Sequence, residues 1–308
     1  MAERVIVHEV GLRDGLQNQP RMVPVEGKLE LLDALIASGV RSVEATSFVS
    51  PKAVPQMADA AELYARIPKR ADMNYEVLVP NEKGYERAVA AGARTIAVVI
   101  AASDTFNRRN INMSLDEATQ VCEAVVRRTE REGHRSRAYI SALAACPYEG
   151  VTPPERVFDL TAKMFDAGAD EVALSDTIGA GNPAQIEYLF ESAIRRHGAQ
   201  RIAAHFHDTR AMGLTLAWCA IKAGVRKLDS SIGGLGGCPF APGASGNLAT
   251  EDLVFMLNEA GYETGIDVEG LRRAVMIAER LTGQSLGGRM TNFFRAQDAR
   301  RQAKAKAS

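Results

Sequence analysis

Eight short apolar segments rich in β-branched residues recur along the chain, and their regular spacing is the feature that most constrains the fold. The segments lie at residues 5–10, 42–46, 74–79, 95–101, 137–142, 171–175, 201–206 and 227–232. Their starts are about 32 residues apart on average, which is the repeat of a strand and helix unit in a closed barrel. Because stretches with helical periodicity lie between them, we predict a (β/α)8 TIM barrel of the α/β class.

Glycines and capping residues mark the ends of the predicted helices. A glycine stands just before each even-numbered strand, where a left-handed helix terminus favours it, at Gly39, Gly92, Gly168 and Gly224. Helix starts are indicated by Ser114 with Glu117, by Thr152 with Glu155 and by Asn182 followed by Pro183. An open doubly wound sheet is the alternative, but Gly11-Leu12-Arg13-Asp14-Gly15 is not the glycine-rich turn expected after its first strand.

The part of the chain after residue 247 predicts additional helices, at about residues 251–257 and 268–282. We therefore expect a barrel with a C-terminal helical extension over residues 1–285. Residues 286–308 are expected to form a flexible tail, and its basic side chains suggest no function.

The charge balance argues against nucleic acid or an anionic membrane as a partner. The 308 residues include 37 Lys and Arg against 38 Asp and Glu, which gives no basic field. No run approaches the roughly 18 apolar residues of a membrane span. The four cysteines are widely spaced, as is typical of a reducing compartment. We expect a cytoplasmic protein that binds small molecules and copies of itself.

Polar residues close several of the predicted strands, at the end where barrel enzymes carry their chemistry. They are Arg13 and Asp14 after the first strand, Glu44 and Ser47 in and after the second, Asp176 after the sixth, and His205 and His207 around the end of the seventh. The eighth strand opens into a loop at residues 233–247 that contains six glycines, Cys238 and Asn247. These residues form the candidate site.

His205 and His207 are two residues apart, so both imidazoles point to the same side of their strand. If that side is the barrel interior, Asp14 and Asn247 can add oxygen ligands, and the mixed set suits Mg²⁺ or Mn²⁺. The alternative is that the two histidines simply end the strand without binding a metal.

Arg13 and Cys238 have the chemistry to act on a bound substrate. An arginine at a strand end can hold a carboxylate or stabilise an enolate oxygen, although Arg13 and Asp14 can also form a simple surface ion pair. Glu44 and Asp176 either orient these groups or belong to buried ion pairs. Cys238 lies in a glycine-rich loop that can close over a substrate, where its thiol can act as an acid or base.

Four motifs together resemble the hydroxymethylglutaryl-CoA lyase family. They are Arg13-Asp14-Gly15-Leu16-Gln17-Asn18, Glu44-Ala45-Thr46-Ser47-Phe48, His205-Phe206-His207-Asp208-Thr209 and Gly236-Gly237-Cys238-Pro239-Phe240 with its continuation to Asp252. The resemblance covers about residues 5–282 and implies a TIM-barrel carbon–carbon lyase. Its implied reaction is divalent-metal-dependent cleavage of 3-hydroxy-3-methylglutaryl-CoA to acetyl-CoA and acetoacetate, as in leucine and ketone-body catabolism.

The resemblance also implies a role for each candidate residue. Asp14, His205, His207 and Asn247 are the implied ligands of Mg²⁺ or Mn²⁺. Arg13 is implied to stabilise the enolate, Asp14 or His205 to take the hydroxyl proton, and Cys238 to protonate the acetyl-CoA carbanion. Glu44 and Asp176 support the site, Gln17 and Ser47 line it, and Glu251 holds the loop. A basic loop at residues 106–110 offers Asn107, Arg108 and Asn110 to CoA, and a homodimer or higher homo-oligomer is implied.

Other functions stay open at this point. Lyases for longer-tailed 3-hydroxy-3-alkylglutaryl-CoA substrates share these motifs, and related metal-dependent aldolases and Claisen condensing enzymes act on a 2-oxo acid. Gly179-Ala180-Gly181-Asn182-Pro183-Ala184 formally fits a dinucleotide fingerprint, but it follows the sixth strand and its helix begins after both glycines. A binding barrel without enzymatic activity is the remaining alternative.

Overall fold

The computed structural model describes residues 2–237 and 246–307, and within them eight parallel strands close into a barrel. The strands are β1 (Ile6–Glu9), β2 (Ser42–Ser47), β3 (Asn74–Leu78), β4 (Thr95–Ala101), β5 (Arg135–Ser141), β6 (Glu171–Asp176), β7 (Ile202–Phe206) and β8 (Lys227–Ser230). Each strand pairs with its neighbours in sequence, and β8 pairs with β1. The predicted TIM barrel is confirmed.

Helices follow the strands and pack around the outside of the barrel. They are α1 (Val25–Ala37), α2 (Ala60–Arg66), α3 (Glu82–Ala90), α4 (Asp104–Ile111), α5 (Leu115–Arg131), α6 (Pro154–Asp166), α7 (Pro183–His197) and α8 (Gly213–Ala223). A short antiparallel hairpin, Ala145–Cys146 with Gly150–Val151, lies between β5 and α6. Among the described residues, no helix is long and apolar enough to cross a membrane.

Most of the predicted helix signals are confirmed. Ser114 and Glu117 form a capping box at the start of α5, and Asn182 caps α7 with Pro183 in the first turn. The four glycines before even-numbered strands all have positive φ, as a left-handed terminus requires. The capping box at Thr152 was wrong, because the Thr152 hydroxyl donates to the Ala142 carbonyl at 2.7 Å and α6 begins only at Pro154.

Three helices complete the chain: α9 (Thr250–Glu259), α10 (Val268–Thr282) and α11 (Arg289–Ala307). The first two match the predicted helices, whereas α11 occupies most of the expected tail. Backbone N–H groups of Arg289 and Met290 each donate to the Asp252 carboxylate at 2.8 Å. A carboxylate on α9 therefore binds the otherwise unpaired N–H groups at the start of α11, a long-range contact that local sequence does not predict.

Apolar side chains pack in two layers, one on each face of the barrel strands. The large one lies between the barrel and its helices. The small one, inside the barrel, consists of Leu78, Ala97, Tyr139, Ala173 and Ala203, with Val99 packed against it. Since three of these interior residues are alanines, the barrel has room for long polar side chains.

Candidate metal and substrate site

A tight turn after β1 brings Arg13 and Asp14 into the barrel mouth. Residues Gly11–Gly15 form one wide helical turn of the π type, in which the N–H groups of Arg13, Asp14 and Gly15 all donate to the Val10 carbonyl at 2.8–3.2 Å. Both residues are largely buried, with side chains 9% (Arg13) and 13% (Asp14) exposed. The two residues are therefore fixed above the strands and do not form the surface ion pair that the sequence left open.

Asp14, His205 and His207 converge, as predicted for metal ligands. Each offers one ligand atom, and these atoms all lie within 4.8 Å of one another. His205 lies in β7 and His207 just follows it, so both rings face the barrel axis with their centroids 5.2 Å apart. Within the described residues this is the only group of three such side chains close enough to hold an ion.

Asn247 completes a four-residue set. Its backbone forms an isolated β-bridge with His207, and its Nδ2 donates to Asp14 Oδ2 at 2.7 Å and to the Leu235 carbonyl at 3.0 Å. Its Oδ1 is buried and has no hydrogen-bond partner among the described residues. A buried oxygen without a donor beside a carboxylate and two imidazoles is the arrangement that a cation satisfies.

The charge state of Asp14 also suits a metal ligand. Its Oδ1 accepts from Arg13 Nη1 at 2.7 Å and from Gln17 Nε2 at 3.2 Å. Burial alone would raise the pKa of Asp14, but Arg13 and the two histidines lower it below its usual value. The carboxylate stays ionised, and the set of one carboxylate, two imidazoles and one amide oxygen fits Mg²⁺ or Mn²⁺.

Glu44 fixes the guanidinium of Arg13 from the second strand. Its Oε2 lies 2.6 Å from Arg13 Nε, and Glu44 is fully buried. Arg13 is thus held by Glu44 on one side and Asp14 on the other, with its remaining N–H groups available to a ligand in the mouth.

Asp229 contacts the ring of His205 from the neighbouring strand β8. Its Oδ2 lies 3.1 Å from His205 Nδ1, and its Oδ1 accepts from Arg137 Nη2 at 2.7 Å. Burial would raise the pKa of Asp229, but Arg137 and His205 hold it far below its usual value. Sequence analysis missed this residue because it lies inside β8, whereas the candidate residues were those at strand ends.

Glu9 is a second residue that sequence analysis missed. Its Oε1 accepts from the N–H groups of Gly11 at 2.8 Å and Ile232 at 2.9 Å, and its Oε2 accepts from the Thr250 hydroxyl at 2.6 Å. It therefore joins the Asp14 turn to the segment after β8. A glutamate as the last residue of an apolar strand was the available signal.

Glu251 joins the start of the loop at residues 233–247 to the start of α11. Its Oε2 accepts from the Gly233 N–H at 3.0 Å, and its Oε1 accepts from the Gly288 N–H at 2.7 Å and the Thr291 hydroxyl at 2.9 Å. Its contact with Gly233 reaches only the first residue of that loop, so the predicted loop-holding role stays a prediction. Cys238, the predicted acid, lies outside the described residues.

Asp176 and Ser47 bind the protein backbone. Asp176 accepts from the N–H groups of Ala180 at 3.0 Å and Gly181 at 2.7 Å, and Ser47 donates to the Leu78 carbonyl at 3.2 Å. The N–H groups of the apparent dinucleotide fingerprint are therefore bound to a carboxylate of the protein itself, which argues against a phosphate in that turn.

The expected basic loop at residues 106–110 is instead part of α4, capped by the Ser103 hydroxyl. Asn107 is 2% exposed, and its amide donates to the Ala101 and Ser103 carbonyls and accepts from the Ala101 N–H. Both amide hydrogens therefore bind backbone, and the predicted contact with CoA stays a prediction. Arg108 and Asn110 are exposed, and Arg108 pairs with Asp104 at 2.6 Å.

A closed parallel barrel with a carboxylate, imidazole and amide set at the carboxyl ends of its strands defines a TIM-barrel protein whose mouth could hold a divalent metal. The family model described as HMGL-like matches residues 4–277. The chain belongs to this HMGL-like family, whose members include carbon–carbon lyases.

Individual relatives agree with this assignment. The mitochondrial hydroxymethylglutaryl-CoA lyase of Bos taurus is 45% identical over 88% of this chain and 84% of its own. The crystal structure of the Bacillus subtilis HMG-CoA lyase has a TM-score of 0.91 and 40% identity, over 95% of this chain and 98% of its own. An HMG-CoA lyase from Acinetobacter baumannii in complex with coenzyme A and 3-methylmalate has a TM-score of 0.90 and 36% identity, over 94% of each chain.

Proposed function

We propose that this chain cleaves 3-hydroxy-3-methylglutaryl-CoA into acetyl-CoA and acetoacetate, with Mg²⁺ or Mn²⁺ as its metal. The observation that carries the proposal is the convergence of Asp14, His205, His207 and Asn247 beside Arg13 at the barrel mouth. Similarity to hydroxymethylglutaryl-CoA lyases over most of the chain supports the choice of substrate.

The four converging residues would hold the cation. When bound, it supplies a Lewis acid that orients the substrate oxygens and acidifies the 3-hydroxyl group. Arg13 would stabilise the negative charge on the thioester oxygen, a role supported by the ion pairs with Glu44 and Asp14 that orient its guanidinium.

Bond cleavage requires one proton to leave and another to arrive. The 3-hydroxyl proton passes to Asp14 or His205 as the bond between C2 and C3 breaks, and C3 becomes the ketone carbon of acetoacetate. The electron pair of that bond goes to the thioester enolate. Protonation of its carbon by the Cys238 thiol then gives acetyl-CoA, a role that the sequence of the loop supports.

The remaining substrate and context assignments are also proposals. The coenzyme A named with the Acinetobacter baumannii structure supports a CoA thioester, and Arg108 and Asn110 are available on the surface of α4. We retain Gln17 and Ser47 as residues that line the substrate site. Homo-oligomerisation, a cytoplasmic location and a role in leucine catabolism stay predictions.

The test is an assay of acetoacetate release by the purified protein. We expect activity with Mn²⁺, its loss on adding EDTA and its return with excess Mn²⁺. Cys238→Ser should lower kcat by roughly two orders of magnitude or more, as removal of an acid–base group does. Cys219→Ser, the same change in α8, should leave kcat unaltered.

Two outcomes would contradict the proposal. One is a folded, Mn²⁺-loaded protein that releases no acetoacetate but condenses a 2-oxo acid with acetyl-CoA. The other is efficient cleavage only of glutaryl-CoA substrates with a longer alkyl group at C3, which would move the chain to the longer-tailed lyases.

A further inference from the structure

A continuous chain of buried polar side chains runs down the barrel from the candidate metal site. It begins with a contact of 3.1 Å between His205 Nδ1 and Asp229 Oδ2. Arg137 Nη2 then donates to Asp229 Oδ1 at 2.7 Å. Arg137 is 1% exposed and Asp229 is also 1% exposed. The guanidinium is therefore bound deep inside the barrel.

These contacts continue across the barrel interior. Arg137 Nη1 donates to the Tyr139 hydroxyl at 3.1 Å, and that hydroxyl donates to Glu76 Oε1 at 3.0 Å. The same glutamate oxygen lies 3.4 Å from His8 Nε2. Five strands thus contribute polar groups to one connected set, which we call the interior polar chain.

Small neighbours make room for this set. Ala97, Ala173 and Ala203 line the same interior, where TIM barrels usually carry bulky branched residues. Buried ion pairs lose their hydration and are often no more stabilising than well-packed apolar side chains. Stability alone therefore does not explain why this barrel is filled with charged groups, and a positional role for them is the better explanation.

Asp229, at the metal-site end of the interior polar chain, determines the tautomer and orientation of the His205 ring. An ionised Asp229 accepts a hydrogen from Nδ1, so the lone pair of the ring lies on Nε2. Tyr139 packs against the ring edge-on, with centroids 6.2 Å apart and planes at 87°. A hydrogen bond and a ring contact together restrict rotation of the imidazole beside Asp14 and His207.

We propose that Asp229 is a positioning residue, which fixes the tautomer and orientation of His205 as a metal ligand while Arg137 fixes Asp229. This inference rests on the metal site of the proposed function, but it does not depend on which substrate that site takes. The alternative is that Asp229 and Arg137 merely form an ion pair that stabilises the barrel.

Asp229→Asn separates these two roles. Arg137 can only donate, so the new amide must turn its oxygen to Arg137 and its NH₂ group to His205 Nδ1. That ring nitrogen must then accept, which moves the hydrogen to Nε2 and removes the lone pair from the metal side. Glu171→Gln is the matched control, because Glu171 Oε1 also pairs with Arg137, at 2.9 Å from Nε, without contacting His205.

The decisive measurement is Mn²⁺ affinity, followed by the electron paramagnetic resonance signal of free Mn²⁺. For Asp229→Asn we expect a Kd about 10–100-fold higher than in the wild type, the usual effect of losing a partner of a ligating histidine. Glu171→Gln should change the Kd by less than about twofold even if it lowers Tm. Equal Mn²⁺ affinity of the wild type and a folded Asp229→Asn protein would overturn the inference.

Histidine ¹⁵N NMR of the metal-free wild type gives a second test that needs no variant of Asp229 to fold. The chain has five histidines, so their ring signals are few enough to assign by single substitutions. We expect the neutral ring of His205 to carry its hydrogen on Nδ1, and a neutral ring with its hydrogen on Nε2 would overturn the inference. If the wild type binds Mn²⁺ with this tautomer but releases no acetoacetate, the proposed function fails while the inference stands.

Discussion

Glu9 is a single residue that connects two parts of the site, and its burial has a measurable consequence. It is fully buried, and burial raises its pKa from 4.5 to about 7 despite three hydrogen bonds to the carboxylate. In the pH range between these values the folded chain binds more protons than the unfolded chain. Stability contributed by Glu9 is therefore complete below about pH 4.5 and is lost as the pH rises through 7.

Glu9→Gln should remove this dependence. Between about pH 4.5 and pH 7.5, we expect the free energy of unfolding of the wild type to fall by about 3 kcal/mol relative to the variant. The amide oxygen can still accept from Gly11 and Ile232. Urea unfolding of both proteins across this range measures the difference, and a difference that does not vary with pH would contradict the prediction.

Glu3→Gln provides a control with the opposite sign. A hydrogen bond from Arg226 lowers the pKa of Glu3, which lies at the surface. Its contribution to stability is therefore present at neutral pH and is lost as the pH falls. When the pH series is extended below pH 4.5, the wild type should lose stability relative to Glu3→Gln as the pH falls, whereas it loses stability relative to Glu9→Gln as the pH rises.

At the scale of elements, the connection from β4 into α4 shows why residue type alone could not assign Asn107 and Arg108 to CoA binding. The amide of Asn107 binds the N–H and carbonyl of Ala101, at the end of β4, and the carbonyl of Ser103, which caps α4. It therefore supplies hydrogen-bond partners to backbone groups of the turn. The neighbouring Arg108 projects from the exposed side of α4. Adjacent residues of one predicted basic loop thus have different surroundings.

Asn107→Ala should destabilise the protein, whereas Arg108→Ala should affect substrate binding. Loss of the Asn107 amide leaves buried backbone groups unpaired, and we expect a cost of about 2 kcal/mol in the free energy of unfolding. Arg108→Ala should leave the free energy of unfolding nearly unchanged, because its ion pair with Asp104 is exposed. If Arg108 contacts a CoA phosphate, its variant should raise KM without altering kcat.

Urea unfolding and steady-state kinetics on both variants check this assignment. A stable Asn107→Ala protein with a raised KM would reverse it, since Asn107 would then be reaching the substrate. An unchanged KM in Arg108→Ala would remove Arg108 from the CoA site.

The strands and the ligand set could be predicted from sequence, whereas the interior polar chain could not. All eight apolar segments coincide with barrel strands to within two residues at each end, because β-branched runs bounded by glycine have few other structures available. Arg137 and Tyr139 alternate within such a run, as interior positions must, but alternation does not distinguish the interior face from the helix-covered face. Their partners Glu76 and Asp229 are more than 60 residues away, and only barrel closure brings them together.

For the whole molecule, metal binding should stabilise the fold as well as complete the site. The ligands come from the β1 turn, the end of β7 and residue 247, so one ion would link distant parts of the chain. A ligand that binds only the folded state at 100 times its Kd adds about 2.7 kcal/mol to the free energy of unfolding. We expect Tm to rise by several degrees with saturating Mn²⁺.

Asp14→Asn should abolish this rise in Tm, and Asp33→Asn should preserve it. Both substitutions replace one aspartate by its amide, but Asp33 lies on the exposed face of α1. Differential scanning fluorimetry with and without Mn²⁺ gives the comparison. An equal rise in both variants would place the ion somewhere other than the four-residue set.

The alanines inside the barrel have a consequence for anyone who redesigns this protein. Replacing Ala97, Ala173 or Ala203 by valine is a natural way to improve packing, since it adds apolar volume to a hydrophobic layer. Here the added methyl groups would occupy space that Arg137 and Tyr139 need. We expect such a variant to displace Arg137 and Tyr139 and so to weaken Mn²⁺ binding, even where the added methyl groups raise its Tm.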